Sequence, residues 1–142
     1  PVIHVDIGDS MLDAVSLMAS HRIKRVPVFL GEEVYGVITG SQVAALLCDA
    51  EFMAGLFFRR RGLREALSSM HVVSVLRRGM EVKVHPDTDL CVPLGILRSG
   101  VVRQVFVDED GKTVGILTAR DMVVKAPKVI GVEEFLRMIR PS

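Results

Sequence analysis

HRIKRVPVFLGEEVYGVITGSQ, residues 21–42, decides the fold, because its pattern returns as GVVRQVFVDEDGKTVGILTARD at residues 100–121. An offset of 79 residues registers the two without a gap: Gly36 falls on Gly115, Thr39 on Thr118, Val26 and Val28 on Val105 and Val107. Few residues are identical, but the order of element types is shared, which marks an internal structural repeat. In the first copy, residues 26–30 and 34–38 read as strands joined by a tight GEE turn at 31–33. In the second, residues 105–107 and 113–117 flank a DEDG turn at 108–111. A helix closes each copy, over residues 41–48 and 120–124.

Working outward, each copy opens on a short alternating strand, residues 2–5 and 82–84. Val5 and Val84 keep the same offset. A turn rich in helix-capping residues follows, 6–10 or 85–89. The next helix carries Met11, Leu12, Val15 and Met18, or Leu90, Leu94, Ile96 and Leu97, at helical spacing. Pro93 is tolerated there because it lies near the helix start. The unit therefore reads β-α-β-β-α, and the chain is a mixed α/β (α+β) fold of two such units. Boundaries follow: repeat one over 1–48, a helical linker and lead-in strand over 49–76, repeat two over 77–126, a helical tail over 127–142. The linker reads as one helical stretch, about residues 51–70, then a strand-like run at 71–76. The tail places Val132, Phe135, Leu136 and Ile139 at helical spacing, which predicts a short docked helix.

Composition narrows the function classes. Hydrophobic residues make up 49% of the 142, with 5% aromatic and no Trp, so aliphatic side chains must fill the core. Met11, Met18, Met53 and Met70 read as part of it. Eighteen basic and 17 acidic residues leave a formal charge of +1, which favours neither nucleic acid nor an acidic partner. Cys48 and Cys91 lack metal-ligand or CxxC spacing, and a reducing cytoplasm is the expected setting. No apolar run reaches the ~18 residues of a membrane span. Residues 43–58 come nearest, interrupted by Asp49 and Glu51. The chain opens on Pro1 rather than Met, and is expected to be a piece of a longer product. His4, His21, His71 and His85 show no metal-ligand spacing, and no nucleophile–base or phosphate-loop motif is present. No enzyme activity is expected. Arg59, Arg60, Arg61 and Arg64 read as a solvated helix end.

The run GILTARD, residues 115–121, passes from a strand end into a helix start. Two readings are open there. Thr118 and Asp121 have the spacing of a capping box. Equally, the Asp121 carboxylate can accept hydrogen bonds from both ribose hydroxyls, with Thr118 beside it and the helix N-terminus favouring phosphate. The matching run, GVITGSQ at 36–42, has Gln42 in place of the Asp. Thr39 and Gln42 also suit a cap, and an amide is a weaker ribose acceptor than a carboxylate.

The segments at 21–42 and 100–121 resemble the back halves of CBS domains, with Pro27 in the first hairpin strand and a G-x-x-T-x-x-D close at Gly115, Thr118 and Asp121. The chain as a whole resembles a tandem CBS pair, a Bateman module, over residues 2–46 and 79–124, about two thirds of its length. The resemblance implies repeats packed about a pseudo-two-fold axis, with clefts that take AMP, ADP, ATP or S-adenosylmethionine, and assembly as a homodimer. It implies a regulatory, adenine-nucleotide-sensing role, or alternatively a structural dimerisation module with no bound ligand. It assigns Asp121 and Thr118 to ribose and phosphate, Lys24 and Arg25 to phosphate, and Val2, Ile3, Ile23 and Ile116 to the adenine slot. A second, weaker site is implied at Thr39, Gln42, Arg103 and Val82. No cofactor, metal, nucleic acid or membrane is expected as a partner.

Overall fold

A computed structural model of the chain describes residues 2–79, 81–130 and 137. Two compact units emerge, Ile3–Met80 and a second made of Pro1–Val2 with Glu81–Ser142. Each carries a three-stranded sheet.

In the first unit the sheet order is β1 (Val5–Asp6), β2 (Arg25–Leu30), β3 (Glu33–Thr39). β1 runs parallel to β2, with Val5 beside Val28, and the crossover is helix α1 (Met11–His21). Ser10 and Asp13 start α1 as a capping box. β2 and β3 pair antiparallel, Val26 facing Ile38, and Leu30–Glu33 closes a two-residue turn in which Gly31 takes φ +66°. Only the first central residue has positive φ, the pattern of a II′ hairpin. Helix α2 (Gly40–Leu47) follows directly.

Val5, Met11, Ala14, Val26, Val28 and Ile38 form the core, and Leu67 and Val72 from beyond the repeat complete it. The inter-repeat segment is therefore part of this unit's core. It is not the single helix expected. Helix α3 (Ala50–Arg59) stops where Arg60 turns left-handed at φ 51°, and α4 (Leu63–Ser69) restarts after Gly62. Met53 lies on the outer side of α3, 45% exposed, and is not core. The expected strand at 71–76 is instead a 3₁₀ turn, Val72–Ser74. Its β-branched residues suggested a strand, but Val72 is fully buried and its N–H is taken by the Asp9 carbonyl at 2.9 Å. The segment pairs with β3 at one bridge, Val37 to Arg77, and Arg78 lies over the Tyr35 ring at 3.9 Å with its Nε donating to the Tyr35 carbonyl at 3.1 Å.

The second unit repeats the plan: β4 (Lys83–Val84) parallel to β5 (Gln104–Glu109), β5 antiparallel to β6 (Lys112–Thr118), with helices α5 (Cys91–Arg98) and α6 (Ala119–Ile130). The DEDG turn tightens to Asp110-Gly111, both at positive φ, a I′ hairpin. Register shifts fall between Val28 and Phe29 and between Val107 and Asp108, the same place in each repeat. Met122 packs with Leu90, Leu94 and Leu97. Both opening strands are shorter than expected, and α6 runs beyond 124. The tail helix with Val132, Phe135, Leu136 and Ile139 lies outside the described residues.

Gly36 and Gly115 hold equivalent positions for different physical reasons. A Cβ on Gly36 would meet Leu76 Cδ1 at 2.6 Å and the Arg77 carbonyl oxygen at 2.9 Å. At Gly115 the nearest atom is Val107 Cβ at 3.7 Å, an ordinary contact. Gly36→Ala is therefore expected to destabilise by about 1–3 kcal/mol through overpacking. Gly115→Ala should stay within about 0.5 kcal/mol of the parent. Urea denaturation of the two variants checks the contrast, and equal losses would refute it.

Candidate functional site

Two strand-to-helix junctions carry most of the polar residues singled out above. At the β6–α6 junction, Asp121 Oδ2 accepts from the Thr118 backbone N–H at 3.1 Å and from the Thr118 hydroxyl at 2.9 Å. The Asp121 N–H donates back to Thr118 Oγ1 at 3.2 Å. At the β3–α2 junction, Gln42 Oε1 accepts from Thr39 N at 2.7 Å and from Thr39 Oγ1 at 3.2 Å, and Gln42 N donates to Thr39 Oγ1 at 3.3 Å. Both junctions are closed capping boxes.

The two differ in what else the side chain does. Gln42 is 9% exposed, and its Nε2 donates to the Val75 carbonyl at 2.9 Å. Its amide is thus spent on the cap and on holding the inter-repeat segment. Asp121 is half-buried, and a carboxylate has acceptor capacity on two oxygens.

Strand register adds a residue that the sequence reading missed. Arg25 lies opposite Thr39, and Gln104 lies opposite Thr118. Facing residues in an antiparallel pair share a sheet face. In the first unit Val26, Val28 and Ile38 point into the core, so Arg25 and Thr39 point to the other face. The same alternation puts Gln104, Phe106, Ile116 and Thr118 together on one face of the second sheet. Gln104 is 1% exposed, and its side-chain nitrogen has no hydrogen-bond partner among the described residues. A buried orphan donor costs about 1–3 kcal/mol and calls for an acceptor. The offset of 79 onto Arg25 was the available signal. The neighbouring Arg103, singled out from the sequence, is exposed.

The structure gathers Ile116, Thr118 and Asp121 at one junction, all half-buried. Lys24 and Arg25 gather at the other: the Lys24 carbonyl accepts from Gly40 N at 2.7 Å, and Arg25 begins β2. Lys24 is exposed and Arg25 half-buried. Ile23 packs against the first unit's core, which competes with a role in lining a slot. Val2 is half-buried, Ile3 exposed, and the Val82 carbonyl accepts from Phe106 N at 2.8 Å.

Elsewhere, the Cys91 backbone N–H and then its thiol hold the Asp89 carboxyl below its usual range. Asp89 in turn pushes the Cys91 thiol up, chiefly through that side-chain hydrogen bond, which makes it a weaker nucleophile. No group of three or more His, Cys, Asp or Glu that could hold a metal occurs among the described residues. A hollow of about 550 Å³ lined by Phe52, Leu56, Arg59, Arg61 and Met70, among others, shares no residue with either junction.

Comparison with known proteins agrees with this plan. The CBS domain profile matches residues 1–49 and 72–127. An uncharacterized 33.4 kDa protein in a ribosomal RNA operon of Thermofilum pendens is 29% identical over 135 residues, 95% of this chain and 44% of that protein. The chain thus spans less than half the length of that relative. Among solved structures, a CBS domain protein of Pyrobaculum aerophilum complexed with AMP superposes with a TM-score of 0.68 at 13% identity, covering 96% of this chain and 92% of that one. The CBS domain of a bacterial CNNM/CorC family Mg²⁺ transporter in complex with ATP gives 0.64 at 23% identity, over 92% and 80% of the two chains. At such identities the likeness speaks for the fold. With the profile matched in both repeats and the same element order in both units, this chain belongs to the CBS domain family.

Proposed function

We propose that the chain is a regulatory module that senses an adenine nucleotide of the AMP, ADP or ATP class, with S-adenosylmethionine as a further candidate. The observation that carries the reading is the β6–α6 junction, where a half-buried carboxylate and an orphaned Gln104 amide share one end of a sheet. Asp121 takes the ribose hydroxyls, Thr118 lies by the sugar and phosphate, and Ile116 offers an apolar wall. The CBS resemblance assigns Lys24 and Arg25 to the phosphate and Val2, Ile3 and Ile23 to the adenine. A homodimer in a reducing cytoplasm, with Cys48 and Cys91 free and exposed, belongs to the same reading.

Calorimetric titration with AMP, ADP, ATP, S-adenosylmethionine and adenosine tests it. Lys24→Ala/Arg25→Ala is expected to weaken the phosphorylated ligands by roughly 1.5–3 kcal/mol, the worth of charge-assisted bonds, and to leave adenosine nearly unchanged. Equal losses for adenosine and nucleotide would show that the pair supports the fold instead. A second reading, a dimerisation module with no ligand, is favoured by the closed capping boxes and by Ile23 in the core. It predicts no binding heat with any of the five compounds.

A further inference from the structure

Residues 50–71 lie between the two segments that match the CBS profile, so their surface is not explained by the family. The inner side of α3, with Phe52 and Leu56, faces the hollow beside α4. Its outer side is apolar and open. Met53 is 45% exposed, Phe57 79% and Phe58 80%, and the two Phe rings meet edge-on at 5.7 Å. Large apolar side chains this exposed and adjacent mark an interaction surface. Arg59, Arg60, Arg61 and Arg64 follow at once, with Leu63 among them 41% exposed. Arg61 pairs with Glu65 at 3.5 Å, while Arg59, Arg60 and Arg64 have no ion pair among the described residues. The near-neutral total charge hides this local cluster.

Three occupants could cover such a face, and the chemistry selects one. A second copy could cover the apolar residues, but a two-fold pairing centred on Phe57 and Phe58 would bring the adjoining arginine clusters of the two copies close together. Single-stranded RNA would use the arginines and stack on flat aromatic faces. Here the two rings are crossed, and Met53 and Leu63 beside them are aliphatic. A bilayer with anionic headgroups uses every part, because apolar side chains sink to the acyl boundary while arginines hold phosphates. α2 and α3 together have the length and hydropathy of a membrane span, but they are bent by 59°, and no single helix is long and apolar enough on its own among the described residues. α2 is held by its buried Gln42 and by Val43 and Leu46 against the core, with Leu47 36% exposed, so α3 offers the larger apolar face. We propose that the outer face of α3 and the bend at residues 59–64 dock the protein on an anionic lipid surface. Phe57 and Phe58 insert, Arg60 and Arg64 contact lipid phosphates, and Arg59, which also lines the hollow, lies at the edge of the contact.

Flotation of the full chain with phosphatidylcholine vesicles and with mixed phosphatidylcholine–phosphatidylglycerol vesicles tests the proposal. Binding to mixed vesicles is expected, at least about tenfold stronger than to neutral ones and falling with added salt. Phe57→Ser/Phe58→Ser should lower binding by at least about tenfold, and Arg59→Ser/Arg60→Ser/Arg64→Ser by about as much or more. These side chains are exposed, so unchanged far-ultraviolet circular dichroism is expected of both variants. The chain has no Trp, so Phe58→Trp gives a single reporter whose emission should shift blue only with mixed vesicles. Absent binding, equal binding to neutral vesicles, or binding that survives both variants overturns the proposal. So does RNA binding through Phe57 and Phe58 without vesicle binding, or a dimer lost in the Phe variant without vesicle binding.

Discussion

Gln42→Asp is expected to destabilise the Ile3–Met80 unit by about 2–4 kcal/mol rather than simply to create a second nucleotide site. From sequence, the exchange restores the acidic residue that Asp121 supplies at the equivalent position. Structurally it removes a donor. Gln42 Nε2 donates to the Val75 carbonyl at 2.9 Å across the gap to the inter-repeat segment. An aspartate is one methylene shorter and ionised, so it can keep the bonds from Thr39 but offers no proton to Val75. It takes the donor from the part-buried Val75 carbonyl and places a charge where the amide is 9% exposed. Gln42→Glu keeps the length but replaces the donor by a charged oxygen facing the Val75 carbonyl, so it should lose stability too. Urea denaturation of the variants decides the matter: losses below about 0.5 kcal/mol for both would show that the Val75 tie contributes little.

The contrast between Gln42 and Asp121 shows what was legible in the sequence and what was not. Local and periodic features came through: the offset of 79, the hairpins, the matched Gly36 and Gly115, and the capping spacing of Thr39 with Gln42. These depend on neighbours within a few positions. The misread features depend on partners far along the chain. Val72 looks like a strand residue until its burial in the first core is known. Met53 looks like core until α3 is seen to turn that side outward. The break after Arg59 rests on a left-handed Arg60, a conformation that an arginine does not advertise. Gln104 drew no notice because an amide at a strand start is usually solvated, and its burial is tertiary.

Asp121→Ala is expected to cost roughly tenfold to hundredfold in nucleotide affinity, the loss of a charged acceptor worth about 1.5–3 kcal/mol. The same change removes a cap, because Asp121 Oδ2 accepts from both Thr118 N and Thr118 Oγ1. A stability loss of about 0.5–2 kcal/mol should accompany it. Asp121→Asn separates the two effects. Its amide oxygen can still accept from Thr118, so most of the cap survives, but the charge that favours ribose is gone. The expected pattern is near-parental stability for Asn with an affinity loss close to that of Ala. Selectivity for ribo- over 2′-deoxyribonucleotide should fall in both variants, since both lack the charged pair of oxygens that accepts from the ribose hydroxyls. In the parent, titration should end near one nucleotide per chain, because the amide at Gln42 is already committed to Thr39 and Val75. Crystals soaked with AMP give the direct view. Density beside Asp121 alone is expected, and equal density at both junctions, or beside Gln42 alone, would sink the assignment.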